Sequence, residues 1–144
     1  MAARVSQARR GEMMILQVAR NFAERINAHD SQGLIALMSP DHVLIDSLGN
    51  KFTRPAIEAG WAAYFAMVPD YGIKIDSAMV EGDVVALFGS AGGIYVPKWG
   101  TPKPENKWET PAAWLATVRE GKVSQWQVYC DNEPIREKMR TAGP

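Results

Sequence analysis

The chain has 144 residues, with 16 basic and 16 acidic side chains, 47% apolar residues and a single cysteine, Cys130. That length and apolar content specify one domain with its own core, and they exclude a disordered or low-complexity protein. Zero net charge excludes strong sequence-independent binding to nucleic acid, and a lone cysteine excludes an internal disulfide or a cysteine-rich metal site.

The first residues, MAARVSQARR, are basic, and Arg4, Arg9, Arg10 and Arg20 face only Glu12 in charge. Residues 1–11 are expected to form a flexible basic N-terminus. The apolar stretch MMILQVA is broken by Gln17 and runs into Arg20 and Asn21, so no secretory signal is expected. The longest apolar run, Trp61 to Val68, falls far short of the roughly 20 residues a membrane span needs. A cytoplasmic location without a membrane partner is the expectation.

An amphipathic helix is predicted over residues 12–28, where Ile15, Val18, Ala19, Phe22 and Ile26 recur at three- and four-residue spacing. Asp30 is placed to cap a second short helix, SQGLIALM, which stops before Ser39-Pro40. DHVLIDSLGNK alternates as a strand does and ends in a Gly-Asn turn signal. A third helix opens at Pro55 and runs to about Val68, with Ile57, Trp61, Tyr64, Phe65 and Val68 on one stripe. From Tyr71 the pattern is β: YGIKIDSAMV, then VVALFGSAGGIYV with a bulge or bend expected at Gly92-Gly93. PKWGTPKPENK has no periodicity and reads as a loop. WETPAAWLATV and KVSQWQVYCD are two further strands, and NEPIREKMR is a polar tail with at most one helical turn. Three helices followed by a run of antiparallel strands predict an α+β domain, with helices on one face of a curved sheet.

Motifs for phosphate loops, zinc proteases and serine hydrolases are absent, and His29 and His42 have no partner at metal-ligand spacing. His29 falls at a helix end, where a cation is favoured. Cys130, inside a strand, reads as an inert buried thiol. Asp46 and Asp131 stand out because they sit in strand patterns among apolar residues. A carboxylate so placed loses hydration and can become a proton acceptor and donor near neutral pH. The alternative for each is a strand-end aspartate that caps a turn. His42 and Asp46 lie about 13 Å apart along one strand, so they cannot form a dyad. Trp61, Trp108, Trp114 and Trp126 fit either a core or an aromatic-lined cavity for a flat apolar ligand. Trp99 lies in the proline-rich loop, where a lid and a dimer contact explain it equally well.

FAERINAHDSQGLIALMSPDHVLIDSLGN, RPAIEAGWAAYF and WLATVREGKVSQWQVYCDN together resemble the nuclear transport factor 2-like superfamily, in its SnoaL-like and ketosteroid isomerase-like branch. The resemblance covers residues 12–135 as a single SnoaL-like domain, leaving 136–144 as a C-terminal tail. It implies a cone-shaped barrel, a curved antiparallel sheet wrapped around three helices from the N-terminal half, with an apolar pocket. It also implies a cofactor-independent enzyme that moves a proton on a flat, largely apolar carbonyl compound, as a cyclase, isomerase or dehydratase. Asp46 matches the general base of the isomerases and Asp131 the acid/base of the SnoaL-like cyclases. Phe22, Trp61, Trp114 and Tyr129 would shape the substrate pocket. The isomerases' oxyanion donors fall at Phe22 and Ala113, which cannot donate. The arginine and second aspartate of limonene-type epoxide hydrolases fall near Gly89 and Ala91. These missing groups motivate a non-catalytic ligand-binding or dimerisation module as one alternative and count against the other, a limonene-type epoxide hydrolase-like enzyme. No metal or organic cofactor is implied. The expected partners are a small apolar ligand and a second copy of the chain.

Overall fold

The protein, a computed structural model, is described over residues 2–143, with side chains from residue 7 onward. Helix α1 (Ala2–Asn27) starts well before residue 12, and Gln7 to Met14 are exposed on its first turns. Its apolar stripe does what the spacing requires: Ala19, Phe22, Ala23 and Ile26 are all buried. Phe22 is fully buried, with its ring centroid 4.7 Å from Trp126. Burying such a side chain stabilises the fold by about 1.5–3 kcal/mol.

The Asp30 carboxylate accepts the Gly33 N–H at 2.9 Å and so caps α2 (Ser31–Leu37). Strand β1 (Met38–Ile45) follows without a break through Ser39-Pro40. It turns over Asp46 to Asn50 into the short β2 (Lys51–Thr53). Helix α3 (Arg54–Met67) has Pro55 in its first turn and ends at Val68, before Pro69. The strands β3 (Gly72–Glu81), β4 (Val84–Ile94), β5 (Lys107–Arg119) and β6 (Lys122–Cys130) are joined in sequence. Two-residue turns close β3–β4 and β5–β6. In the latter, both Glu120 and Gly121 take positive φ, the geometry that matches strand twist.

The sheet has six strands in the order β2-β1-β6-β5-β4-β3. The α+β class and the cone-like shape agree with expectation, with three differences. β1 pairs with β6 in parallel, so the sheet is mixed rather than antiparallel. β2 and β3 remain as free edges, so the barrel is open. A fourth helix, α4 (Glu133–Ala142), continues past the single turn expected at NEPIREKMR and buries Ile135 against the core.

Gly92-Gly93 makes no bulge, because β4 and β5 stay in register through both residues. On its other side β4 faces a register shift in β3, between Ile75 and Ser77. Gly89 faces it, and a Cβ there would stand 1.7 Å from the Lys74 carbonyl oxygen. The β3 backbone therefore excludes any side chain at residue 89.

A cavity lined by aromatic rings and a turn-capping aspartate

The inner face of α3 presents Ala56, Ile57, Gly60, Trp61 and Tyr64 along one stripe, and these form one wall of a half-open cavity of about 350 Å³. The register of the sheet supplies the opposite wall. Leu44 pairs with Phe52, and Val128 and Cys130 alternate along β6, so all four side chains point inward. Tyr71, Asp46, Ser47 and Asn132 complete the lining. Small residues at 56 and 60 leave the room that Trp61 and Tyr64 border.

Asp46 stands just past the end of β1. Its Oδ1 accepts the backbone N–H groups of Leu48 and Asn50, each at 2.9 Å, and its Oδ2 accepts Asn50 Nδ2 at 3.1 Å. Partial burial pushes its carboxyl up, as the sequence suggested. The hydrogen bonds from Asn50, Leu48 and Gly49 outweigh burial and hold it below its usual 3.8. The expected rise is therefore corrected: Asp46 lines the cavity as an ionised carboxylate and caps its own turn. The two readings of this residue are compatible.

Asn132 Nδ2 donates to Ser47 Oγ at 2.5 Å, and the Cys130 thiol donates to Asn132 Oδ1 at 3.4 Å. Burial pushes the Cys130 thiol up, a Ser47 hydrogen bond offsets part of this, and the Asp131 charge adds to it. Burial also pushes both phenols above their usual range; Cys130 adds to this at Tyr64, and Tyr64 and Cys130 add to it at Tyr71. The Tyr64 and Tyr71 rings meet edge to face at 4.9 Å, and Trp61 lies 6.4 Å from Tyr64 and 6.5 Å from Tyr71. The Trp61 indole N–H is buried and has no hydrogen-bond partner. Such an orphan donor costs about 1–3 kcal/mol. No basic side chain is among the lining residues. Among the described residues no cluster of three or more His, Cys, Asp or Glu could hold a metal ion. Among the described residues no helix is long and apolar enough to cross a membrane.

Of the six residues expected at a site, Asp46 and Trp61 line this cavity. Phe22 and Trp114 are packed in the core, at 0% and 2% exposure. Tyr129 pairs with Ala113 on the outer face of the sheet, opposite to Val128 and Cys130, and is 50% exposed. Ala113 therefore does not face the cavity as an oxyanion position must. Asp131 is exposed; its Oδ1 accepts the Glu133 N–H at 2.9 Å and so orders the start of α4. Trp99 is 93% exposed with a φ of 65° and borders a separate polar groove beside α4. Tyr71, Leu44 and Phe52 were missed. Their strand alternation was visible, but which face turns toward α3 is decided by pairing. In the sequence Tyr64 shows only as part of the apolar α3 stripe.

An α+β cone with an apolar, aromatic-lined cavity open at one end is a pocket protein. A family profile for the SnoaL-like domain matches residues 19–126, and the chain belongs to that family. No curated protein matches the chain. Among solved structures it is similar to a proposed SnoaL-like polyketide cyclase from Jannaschia sp. CCS1, at 19% identity and a TM-score of 0.77, covering 92% of this chain and 95% of that one. AclR, a proposed hydroxylase from Streptomyces galilaeus, matches at 18% identity and TM-score 0.76, over 90% and 98% of the two chains. A protein of ketosteroid isomerase-like fold from Catenulispora acidiphila, in complex with trimethylamine, matches at 22% identity and TM-score 0.71, over 84% and 90%. At these identities the likeness is one of fold.

Proposed function

We propose that the protein is a SnoaL-like enzyme acting on a flat, largely apolar carbonyl compound by acid/base proton transfer, of the cyclase, isomerase or dehydratase type. The observation that carries this reading is the Asp46 carboxylate at the polar end of an otherwise aromatic and aliphatic cavity. An ionised carboxylate can take a proton from a carbon next to a carbonyl, while the rings hold a planar substrate in place. Asp131 lies away from that cavity, so Asp46 is the favoured base. The epoxide-hydrolase reading is weaker, because the backbone leaves no space for any side chain at Gly89.

The observation that Asp46 is ionised beside Phe52, Trp61, Tyr64 and Tyr71, with no basic residue in the lining, supports a second reading. A small tertiary or quaternary ammonium ion would fit such a box through cation–π contact.

The outer face of the sheet supports a homodimer. Phe88, Ala113 and Tyr129 lie in one row across β4, β5 and β6, with Phe88 40% and Tyr129 50% exposed. A second copy of the same face would cover this row.

A screen of carbonyl and epoxide compounds, run with the wild-type chain, Asp46→Asn and Asp131→Asn, tests the enzyme reading. Asp46→Asn is expected to lose about 10²–10⁴ in rate on an accepted substrate. Full turnover by both variants would end the proposal.

A further inference from the structure

The cavity is bordered by two phenolic hydroxyls, those of Tyr64 and Tyr71, for which the protein supplies no acceptor. Among the described residues neither the Tyr64 nor the Tyr71 hydroxyl makes a hydrogen bond, while the equally unpartnered Trp61 indole N–H is shielded from solvent and so from a cavity ligand. All three residues line the same cavity and touch one another through their rings. Two other indoles, Trp108 and Trp126, also lack partners, but neither lines the cavity.

We infer that the Tyr64 and Tyr71 hydroxyls, flanked by the Trp61 ring, form a neutral donor set that holds an acceptor oxygen of the ligand, a carbonyl or quinone oxygen. This rests on the pocket reading above and names the group by which the ligand is oriented. Three features favour an oxygen over a cation at this point. Each hydroxyl has an O–H to donate, and an ammonium ion carries no acceptor for it. Both phenols are held in their protonated, donating form by burial, as is the neighbouring Cys130 thiol. The Asp46 charge is already met by hydrogen bonds from Leu48 and Asn50, so it does not demand a cation.

In the proton transfer proposed above, Asp46 takes a proton from the carbon beside the carbonyl. The electron pair of that C–H bond becomes the C=C of an enolate, and the carbonyl π pair moves onto the oxygen. Hydroxyl donors that already border the cavity would stabilise the developing charge with little reorganisation. They come from α3 and the start of β3, not from Phe22 and Ala113, where the family's donors would fall. Tyr71 is fixed from outside the cavity: its carbonyl accepts His29 Nε2–H at 2.7 Å, and Asn27 holds the Ile73 backbone two residues on.

The test compares methyl naphthyl ketone with isopropenylnaphthalene, in which a CH₂ group replaces the carbonyl oxygen at nearly the same shape. Affinities are read by tryptophan fluorescence quenching, and the carbonyl stretch of the bound ketone by infrared difference spectroscopy. Wild type is expected to prefer the ketone and to shift its carbonyl stretch to lower frequency. Tyr64→Phe and Tyr71→Phe should each cut the ketone's affinity by about threefold to tenfold, move the stretch back, and leave the alkene's affinity unchanged. Equal binding of both probes by wild type, with no infrared shift, overturns the donor set while leaving the cavity reading standing. Failure of both probes to bind overturns the cavity reading and the donor set with it. A trimethylammonium-bearing naphthalene bound more tightly than either, and lost in Asp46→Asn, overturns the donor set in favour of the cation box.

Discussion

The His29 ring lies flat on Phe65, with centroids 4.1 Å apart and planes at 8°, while its Nε2–H donates to the Tyr71 carbonyl at 2.7 Å. One side chain at the end of α1 thus joins α3 to the start of β3, the two elements whose tyrosines meet in the cavity. The positive φ of His29, 53°, turns the chain so that the ring can do this. His29 stands just past the end of α1, as its sequence position suggested, and from there it acts as a clamp. Asn27 strengthens the clamp, donating to the Ile73 carbonyl at 3.0 Å and accepting the Ile73 N–H at 2.7 Å.

Asn27→Ala removes both of those bonds and leaves two part-buried backbone groups without partners. A loss of about 1–3 kcal/mol in unfolding free energy is expected. Urea denaturation should show a lower midpoint at unchanged slope. An unchanged midpoint would mean that water replaces the side chain at no cost.

Asp46 is held below its usual 3.8, so it stays ionised throughout the neutral and mildly acidic range. The sign follows directly: a base with a depressed pKa loses activity only when pH falls through that low value. On an accepted substrate, kcat/KM should therefore show no acid limb above about pH 4. A limb near pH 6 belonging to the free enzyme would assign the base to another group.

Cys130 reports on the same cavity by a different chemistry. Burial raises its thiol above the usual 9.0, so little thiolate exists at neutral pH. Alkylation by iodoacetamide at about pH 7 should be slower than that of free cysteine, and a bound cavity ligand should slow it further. Rapid alkylation that no ligand affects would place the thiol outside the ligand's reach.

His42 is buried at 1% exposure, donates from Nδ1 to the Val123 carbonyl at 2.6 Å, and has no partner at Nε2. Burial lowers its pKa below 6.5, the Val123 bond opposes this, and Arg54 and Asp41 act in opposite directions. As pH falls through about 6.5 the unfolded chain binds a proton that the native state refuses, so stability drops on acidification. Between about pH 8 and pH 5, unfolding free energy should fall more steeply for wild type than for His42→Phe. Parallel curves would mean that the native histidine charges freely.

The proposed dimer makes a mass prediction. Light scattering should give twice the chain mass for wild type, and Phe88→Glu should shift it toward the monomer by placing a charge in the apolar row. A monomeric wild type would leave Phe88 and Tyr129 as ordinary exposed aromatics.

The sequence by itself determined the local elements and the family. The stripe of Ala19, Phe22 and Ile26 specifies α1, the Asp30 cap starts α2, Pro55 opens α3, and Glu120-Gly121 closes a hairpin, because each depends on residues within a turn or two of one another. SnoaL-like membership was legible in the same segments. The tertiary structure alone decided what faces the cavity. Parallel pairing of β1 with β6 joins residues about 80 positions apart, and that pairing turns Leu44, Val128 and Cys130 inward and Tyr129 outward. Strand alternation marks two faces but cannot say which is inside. The same limit applies to Asp46: its place in an apolar strand was visible, but the Leu48 and Asn50 donors that keep it ionised exist only once the turn has closed.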